Sequence, residues 1–258
     1  MADLLAGLRL SISTLTVVRL PTGRVDRAAA AVAMASAPLV GLVLASVMAA
    51  LAYGARLAWH SGLVTAVVVV ASLAAVSGFL HLDGLADTAD GVGAPAGRDR
   101  LAIMKNPGIG AFGAAALVFV LIAQVVALGR CIDVGLGTVG VLTAVTVSRL
   151  TAPFGCLRGL PAARTDGLGA TVAGTVSPGV AAAVAAVTTA VLVGAVAVHD
   201  GSWHNAGRVL WSVVAALVAG VACHRVAVRR IGGITGDVLG AGIELSTAVA
   251  LLAVCVRG

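Results

Sequence analysis

Long apolar stretches separated by short polar segments dominate the chain. Seven of them approach the length of about 20 residues that a helix needs to cross a bilayer. They cover residues 28–53, 63–80, 111–128, 135–150, 178–198, 209–224 and 238–256. The pattern predicts an all-α fold, a polytopic integral membrane bundle of about seven transmembrane helices. We expect residues 1–258 to form a single membrane-embedded domain.

The composition agrees with a protein whose surface faces lipid. Hydrophobic residues make up 60% of the 258 positions and charged residues only 11%, against about 25% charged residues in soluble domains. Aromatic residues reach just 3%, and a chain rich in Ala, Gly and Val suits closely packed membrane helices. The four cysteines form no CxxC pair, which favours buried packing residues over a metal or redox role.

The basic residues are distributed unevenly among the polar segments. A net charge of +6 would suggest a nucleic-acid partner in a soluble protein,. Here twelve of the seventeen Lys and Arg residues fall in alternate loops, at Arg19, Arg24, Arg27, Arg98, Arg100, Lys105, Arg149, Arg158, Arg164, Arg225, Arg229 and Arg230. The positive-inside rule then places these loops in the cytoplasm. We therefore expect the lipid bilayer as a partner and no nucleic acid.

Residues 78–113 hold an acidic motif between two apolar stretches. In a helix, Asp83, Asp87 and Asp90 would share one face, because steps of four and seven residues nearly complete whole turns,. Three like charges beside a membrane repel unless a cation lies between them. Carboxylate ligands suit Mg²⁺ better than zinc. The alternative is a solvated acidic loop, but Gly84 and Gly91 would allow close approach of backbone and substrate.

A second acidic pair lies near the end of the chain. Asp237 and Glu244 are seven residues apart, again on one helical face,. Carboxylates inside a membrane are costly and usually functional. Our hypothesis is that they complete the metal site begun by the first motif. The alternative is a hydrogen bond to a neighbouring helix or a salt bridge to Arg225 or Arg229.

Basic residues on the same predicted face offer partners for an anionic substrate. The candidates are Lys105, Arg149, Arg158 and Arg164, since a guanidinium group grips phosphate through two hydrogen bonds. For any single arginine, the alternative is contact with lipid headgroups. Carboxylates with Mg²⁺ and basic side chains together indicate phosphoryl or diphosphate chemistry.

The two neighbouring motifs HLDGLADTADGVG and RLAIMKNPGIGAFG resemble the signature of the cobalamin synthase family, the adenosylcobinamide-GDP ribazoletransferases. The segments VVRLPTGR, APLVGLVLA, LPAARTDGLGA and GGITGDVLGAGIELS match that family in the same order, so the resemblance covers essentially the full length. It implies an integral membrane enzyme. Together with the basic residues in alternate loops, this predicts a multi-pass protein of the bacterial cytoplasmic (inner) membrane with its active site facing the cytoplasm,. A homo-oligomer is left open.

The resemblance also implies a reaction. Such an enzyme joins alpha-ribazole, or its 5′-phosphate, to adenosylcobinamide-GDP and releases GMP, with Mg²⁺. Asp83, Asp87 and Asp90 would then hold the metal ion. Asp237 or Asp90 would accept the hydroxyl proton, with His81 as another candidate base,.

Two other functions remain as alternatives. CDP-alcohol phosphotransferases also place aspartates at helical spacings around Mg²⁺, but the Asp83–Gly84 pair is not followed by the arginine of their pattern. A cation-coupled transporter would be expected to have two related halves and broken helices, and the sequence contains no such repeat.

Overall fold

The computed structural model describes residues 2–21, 23–200 and 203–256, which form twelve α-helices and two isolated β-bridges but no strand. The helices are α1 (Ala2–Leu15), α2 (Arg27–Ala35), α3 (Ala37–Trp59), α4 (Gly62–Val76), α5 (Leu80–Gly93), α6 (Arg100–Met104), α7 (Ala111–Asp133), α8 (Gly137–Gly155), α9 (Gly167–Val172), α10 (Pro178–Asp200), α11 (Trp203–Ile231) and α12 (Gly236–Cys255). The prediction of an all-α bundle is confirmed.

Among the described residues, five helices are long and apolar enough to cross a membrane: α3, α7, α10, α11 and α12. A sixth span results if α4 and α5 are taken together, although these two helices are bent by 87° relative to each other. The multi-pass character of the protein is therefore confirmed. The count of seven is not.

The first predicted span is interrupted. Residues 28–53 were expected to form one helix, but the chain breaks at Ser36, between α2 and α3. Pro38 lies in the first turn of α3, where its missing N–H removes no intrahelical hydrogen bond,. The membrane-crossing helix therefore begins later than the apolar pattern suggests and continues to Trp59.

A sharp turn separates α4 from the acidic helix α5. Gly78 and Phe79 both adopt left-handed backbone conformations, with φ of 63° and 60°. Glycine accepts this conformation easily, whereas a bulky residue rarely does. The turn lies between α4 and α5, whose axes are nearly perpendicular. The acidic motif is thus helical, as its spacing predicts.

Helix α12 forms the centre of the bundle and is the most enclosed of the five spans. It packs against α5, α7, α8 and α11. Small residues permit this packing: a Cβ atom at Gly240 would lie 3.1 Å from the Cα atom of His81,. The acidic helix α5 is therefore held directly against the first half of α12.

Candidate active site

The two acidic motifs meet where α5 crosses the beginning of α12. A Cβ atom at Gly84 would lie 2.7 Å from the carbonyl oxygen of Asp237 and 2.8 Å from its Cα atom. Only a glycine lets the two backbones approach this closely. About 150 residues of sequence separate the motifs, and the structure brings them together.

Asp83 and Asp87 line a cleft of about 440 Å³ together with Lys105 and Asn106. We call this the Lys105 cleft. Asp83 is exposed and Asp87 is partly buried, so water-soluble groups can reach both carboxylates. The cleft combines two carboxylates with one ammonium group, which suits a phosphate-containing substrate bound with a cation.

Arg164 brings a second positive charge to this region. Its Nη1 atom lies 3.8 Å from Oδ2 of Asp237, and its Nη2 atom donates a hydrogen bond of 3.4 Å to the carbonyl of Leu101. Arg164 and Lys105 also line a shared groove of about 550 Å³. Asp87 interacts electrostatically with Asp237 and Arg164. The structure therefore gathers acidic and basic groups from three separate segments.

Asp90 lies on the same helix but is engaged by backbone. Its Oδ2 atom accepts a hydrogen bond of 2.7 Å from the N–H of Gly110, and Oδ1 accepts one of 2.8 Å from the N–H of Gly113. The carboxylate is buried and satisfies donors at the start of α7. Asp90 therefore anchors α7 to α5, and its expected role as a metal ligand stays a prediction.

Gly91 also has a structural environment. A Cβ atom there would lie 2.7 Å from Cγ of Met104, so the glycine lets the loop fold back onto α5. Arg100 donates hydrogen bonds of 2.7 Å to the carbonyls of Gly91 and Val92. Gly91 therefore has a packing role at the end of α5, and the substrate contact expected of it stays a prediction.

Glu244 lies deeper in the bundle, in a cluster that we call the interior polar cluster: His81, Gln124, Arg149 and Glu244. Gln124 donates a hydrogen bond of 2.7 Å from Nε2 to Oε2 of Glu244. The Nδ1 atom of His81 lies 3.9 Å from Oε1 of Glu244, beyond hydrogen-bond distance. These side chains come from α5, α7, α8 and α12 and connect the helices that carry the site.

Two arginines predicted to bind substrate lie elsewhere. Arg149 is inside α8 and only 1% exposed, where its Nη1 atom donates a hydrogen bond of 3.0 Å to Oγ of Ser148. Its charge interacts electrostatically with that of Glu244, which offsets part of the cost of burying a cation. Arg158 is exposed beside the isolated bridge between Leu157 and Val176. Neither residue lines the Lys105 cleft.

Comparison with known proteins establishes the family. Residues 7–255 match the model of the family described as Cobalamin-5-phosphate synthase. The chain belongs to the cobalamin-5-phosphate synthase family.

Individual members of this family are similar to the chain in sequence over most of its length. An adenosylcobinamide-GDP ribazoletransferase of Frankia casuarinae is 44% identical over 88% of this chain and 86% of its own length. The protein of the same name from a Nocardioides species is 40% identical, covering 96% and 98%, and one from Chlorobium chlorochromatii is 39% identical, covering 94% and 93%. No solved structure matches the chain.

In the part of the chain that the structure describes, the five carboxylates do not gather into one centre. Across the residues that the structure describes, no group of three or more His, Cys, Asp or Glu side chains could hold a metal ion. Mg²⁺, however, is usually bound through one or two carboxylates plus substrate phosphates. Asp83 and Asp87 in the Lys105 cleft fit this kind of site. Asp90 and Glu244 have other partners.

Two polar residues near the site were not predicted. Gln124 is an isolated polar residue in the apolar run of α7 and is buried against Glu244. A polar side chain inside a span is a functional signal by itself, so the sequence held enough information to find it. Asn106 lies beside Lys105 in the cleft, and nothing in its spacing distinguishes it from an ordinary loop residue.

Proposed function

We propose that the protein joins alpha-ribazole, or its 5′-phosphate, to adenosylcobinamide-GDP and releases GMP. Family membership over residues 7–255 supports this reaction. The observation that carries the site assignment is the shared cleft of Asp83, Asp87 and Lys105. Carboxylates and an ammonium group in one cleft are suited to diphosphate chemistry.

The reaction exchanges one phosphorus–oxygen bond for another. The ribazole hydroxyl oxygen attacks the phosphorus atom bonded to cobinamide, and a new P–O bond forms. The bond from that phosphorus to the bridging oxygen of the diphosphate breaks. GMP leaves, and its single phosphate keeps the bridging oxygen. The entering and leaving oxygens lie on opposite sides of the phosphorus.

The protein side chains divide this work. Lys105 and Arg164 offset the negative charge of the diphosphate. Asp237 accepts the proton of the attacking hydroxyl. Asp237 is preferred over Asp90 because both oxygens of Asp90 already accept backbone hydrogen bonds. His81 is a weaker candidate because it is 5% exposed and packs inside the bundle.

Magnesium belongs to the same proposal. Asp83 and Asp87 would hold the ion together with the substrate phosphates, as Mg²⁺ commonly binds. When bound, Mg²⁺ would neutralise the diphosphate and stabilise the charge on the departing GMP.

We further propose that the protein lies in the bacterial cytoplasmic membrane with the Lys105 cleft open to the cytoplasm. The concentration of basic residues in alternate loops supports this orientation,. Lys105 and Arg164 both belong to such loops, so the orientation and the site assignment agree.

The test is GMP release by the purified protein in lipid nanodiscs, with adenosylcobinamide-GDP, alpha-ribazole and Mg²⁺. We expect wild type to release GMP and form a corrinoid of the mass of the joined product. Asp83→Asn and Asp87→Asn keep the side-chain size but remove a charge. Turnover per folded molecule should fall by about two orders of magnitude or more, the scale of losing a major electrostatic contact.

Asp26→Asn is the matched control. Asp26 lies outside the Lys105 cleft, and its side chain accepts hydrogen bonds of 3.1 Å and 3.0 Å from the N–H groups of Ala28 and Ala29 at the start of α2. Asn caps helices as well as Asp does, so this variant should keep its turnover. Absence of GMP release by wild type would contradict the function. Normal turnover in Asp83→Asn would remove that residue from the site.

A further inference from the structure

A second cavity lies beside the Lys105 cleft, between α1, α2, α5, α8, α9 and α12. Its volume is about 280 Å³, close to the lower limit of about 300 Å³ for small-molecule sites. We call it the inner cavity. Most of its lining is apolar, provided by Leu15, Met34, Ala152, Leu168, Leu239 and Ile243. Its size and lining suit one small, flat, apolar group.

The inner cavity also has polar groups in its lining. They come from Ser13, Thr14, Arg19, His81, Asp83 and Asp237. Asp83 lines the Lys105 cleft as well, so this one residue borders both spaces. A molecule in the inner cavity can therefore place a polar group next to the carboxylates while its apolar part is buried.

We propose that the inner cavity binds the fused-ring aromatic base of the ribazole acceptor, while the Lys105 cleft binds the diphosphate of adenosylcobinamide-GDP. This inference rests on the proposed function and deepens it by assigning each substrate to its own space. Displacement at phosphorus requires the attacking and leaving oxygens to lie on opposite sides. Two spaces that share Asp83 in their linings would let the acceptor approach the diphosphate from a separate side.

The lining distinguishes the ribazole base from the other rings in the reaction. Guanine carries a carbonyl, an amino group and ring N–H groups around most of its edge. The polar side chains of the lining, His81, Asp83 and Asp237 among them, can pair with only part of that edge, and burying the remaining groups against the apolar lining without partners is costly,. The corrin ring is far larger than a site near the lower limit of small-molecule cavities. A fused aromatic base with few polar atoms gains from burial against Leu, Met and Ile side chains.

Ala152 is the residue whose small size keeps the inner cavity open on the α8 side. It is buried and lines the cavity. In Ala152→Leu the additional carbon atoms would occupy space that the base needs. Differences of one methylene in an apolar pocket already change discrimination by about tenfold. We therefore expect the KM for alpha-ribazole to rise tenfold or more, with an unchanged KM for adenosylcobinamide-GDP.

Ala183→Leu is the matched control. Ala183 is exposed on the membrane span α10 and lines a different, lipid-facing groove. The same change there should leave both KM values at the wild-type level. Equilibrium dialysis of alpha-ribazole against each variant, without the second substrate, measures acceptor binding independently of turnover. Ala152→Leu should bind alpha-ribazole more weakly by the same factor.

Leu168→Ala provides a second test if Ala152→Leu does not fold. It enlarges the inner cavity from α9, so an acceptor with one additional fused ring should gain in kcat/KM relative to alpha-ribazole. If the kcat/KM of the larger acceptor relative to alpha-ribazole were unchanged in Leu168→Ala, the assignment would be overturned. A change in Ala152→Leu that is confined to the KM for adenosylcobinamide-GDP would overturn it as well. Wild type that binds alpha-ribazole but releases no GMP would instead refute the proposed function and leave the binding site standing.

Discussion

Replacing Asp90 with alanine separates an anchoring role from a catalytic one on the same helix. Asp90 lies seven residues from Asp83 and three from Asp87, so sequence alone assigns all three to one site. In the structure, its two carboxylate oxygens accept hydrogen bonds from the N–H groups of Gly110 and Gly113. Asp90→Ala would leave both donors at the start of α7 without their acceptor.

The expected loss of stability follows from these two bonds. A hydrogen bond to a charged group contributes about 1.5–3 kcal/mol, so losing two should cost about 3 kcal/mol or more. The side chain is only 9% exposed, so water replaces it poorly. For chains of this size, 1 kcal/mol shifts the melting temperature by about 2–4 °C. We expect Asp90→Ala to melt about 6–12 °C below wild type.

A fluorogenic thiol-reactive dye can follow the melting of the purified protein in detergent, because Cys131 and Cys156 are buried in the folded state. Asp99→Ala is the control: it removes one cap hydrogen bond at an exposed position. Losing such a cap costs about 1 kcal/mol, so its melting temperature should fall by a few degrees at most. Turnover is then measured per folded molecule for both variants.

The opposite result would refute this reasoning. If Asp90→Ala melted within about 2 °C of wild type while turnover per folded molecule fell about a hundredfold, Asp90 would act on substrate or metal. The anchoring role derived from its hydrogen bonds would then be incorrect.

Two further predictions concern the packing of α12. The Sγ atoms of Cys131 and Cys255 lie 2.8 Å apart. Mild oxidation should therefore form a disulfide that keeps α7 and α12 joined when the intervening loops are cut by a protease. Separate fragments on a non-reducing gel would contradict this packing. Gly84→Ala should lower both turnover and melting temperature because its Cβ atom would collide with Asp237. Gly54→Ala, which meets no atom within 4 Å, is the control, and equal behaviour of the two variants would contradict the close approach.

Helical spacing predicted the acidic helix well because it depends only on local geometry. Asp83, Asp87 and Asp90 do lie on one helix, α5. The local pattern could not say which neighbour each carboxylate would meet. The turn at Gly78 and Phe79 sets the direction of α5, and a left-handed phenylalanine has no sequence signature. Only the three-dimensional structure shows that Asp83 and Asp87 line the Lys105 cleft while Asp90 anchors α7.

The end of a span is similarly hard to read from hydropathy. Arg149 was assigned to a cytoplasmic loop because a charged residue usually marks the end of an apolar run. In the structure α8 continues to Gly155, and Arg149 is buried, where it interacts electrostatically with Glu244. Two opposite charges on different helices can compensate each other inside a bundle. A hydropathy average over one stretch of sequence considers each helix alone and so misses this interaction between helices.

The hydrogen bonds of Asp90 also affect how this region can vary in length. They hold the ends of residues 91–109 together at the base of α7. Gly97, at the tip, is exposed, and a Cβ atom there would meet no atom within 4 Å. Doubling the length of a flexible loop costs only about 0.6 kcal/mol in closure entropy. Insertions at this tip could therefore change the reach of Lys105 without moving Asp83. Related enzymes could in this way diverge in the substrates they admit while conserving the reaction.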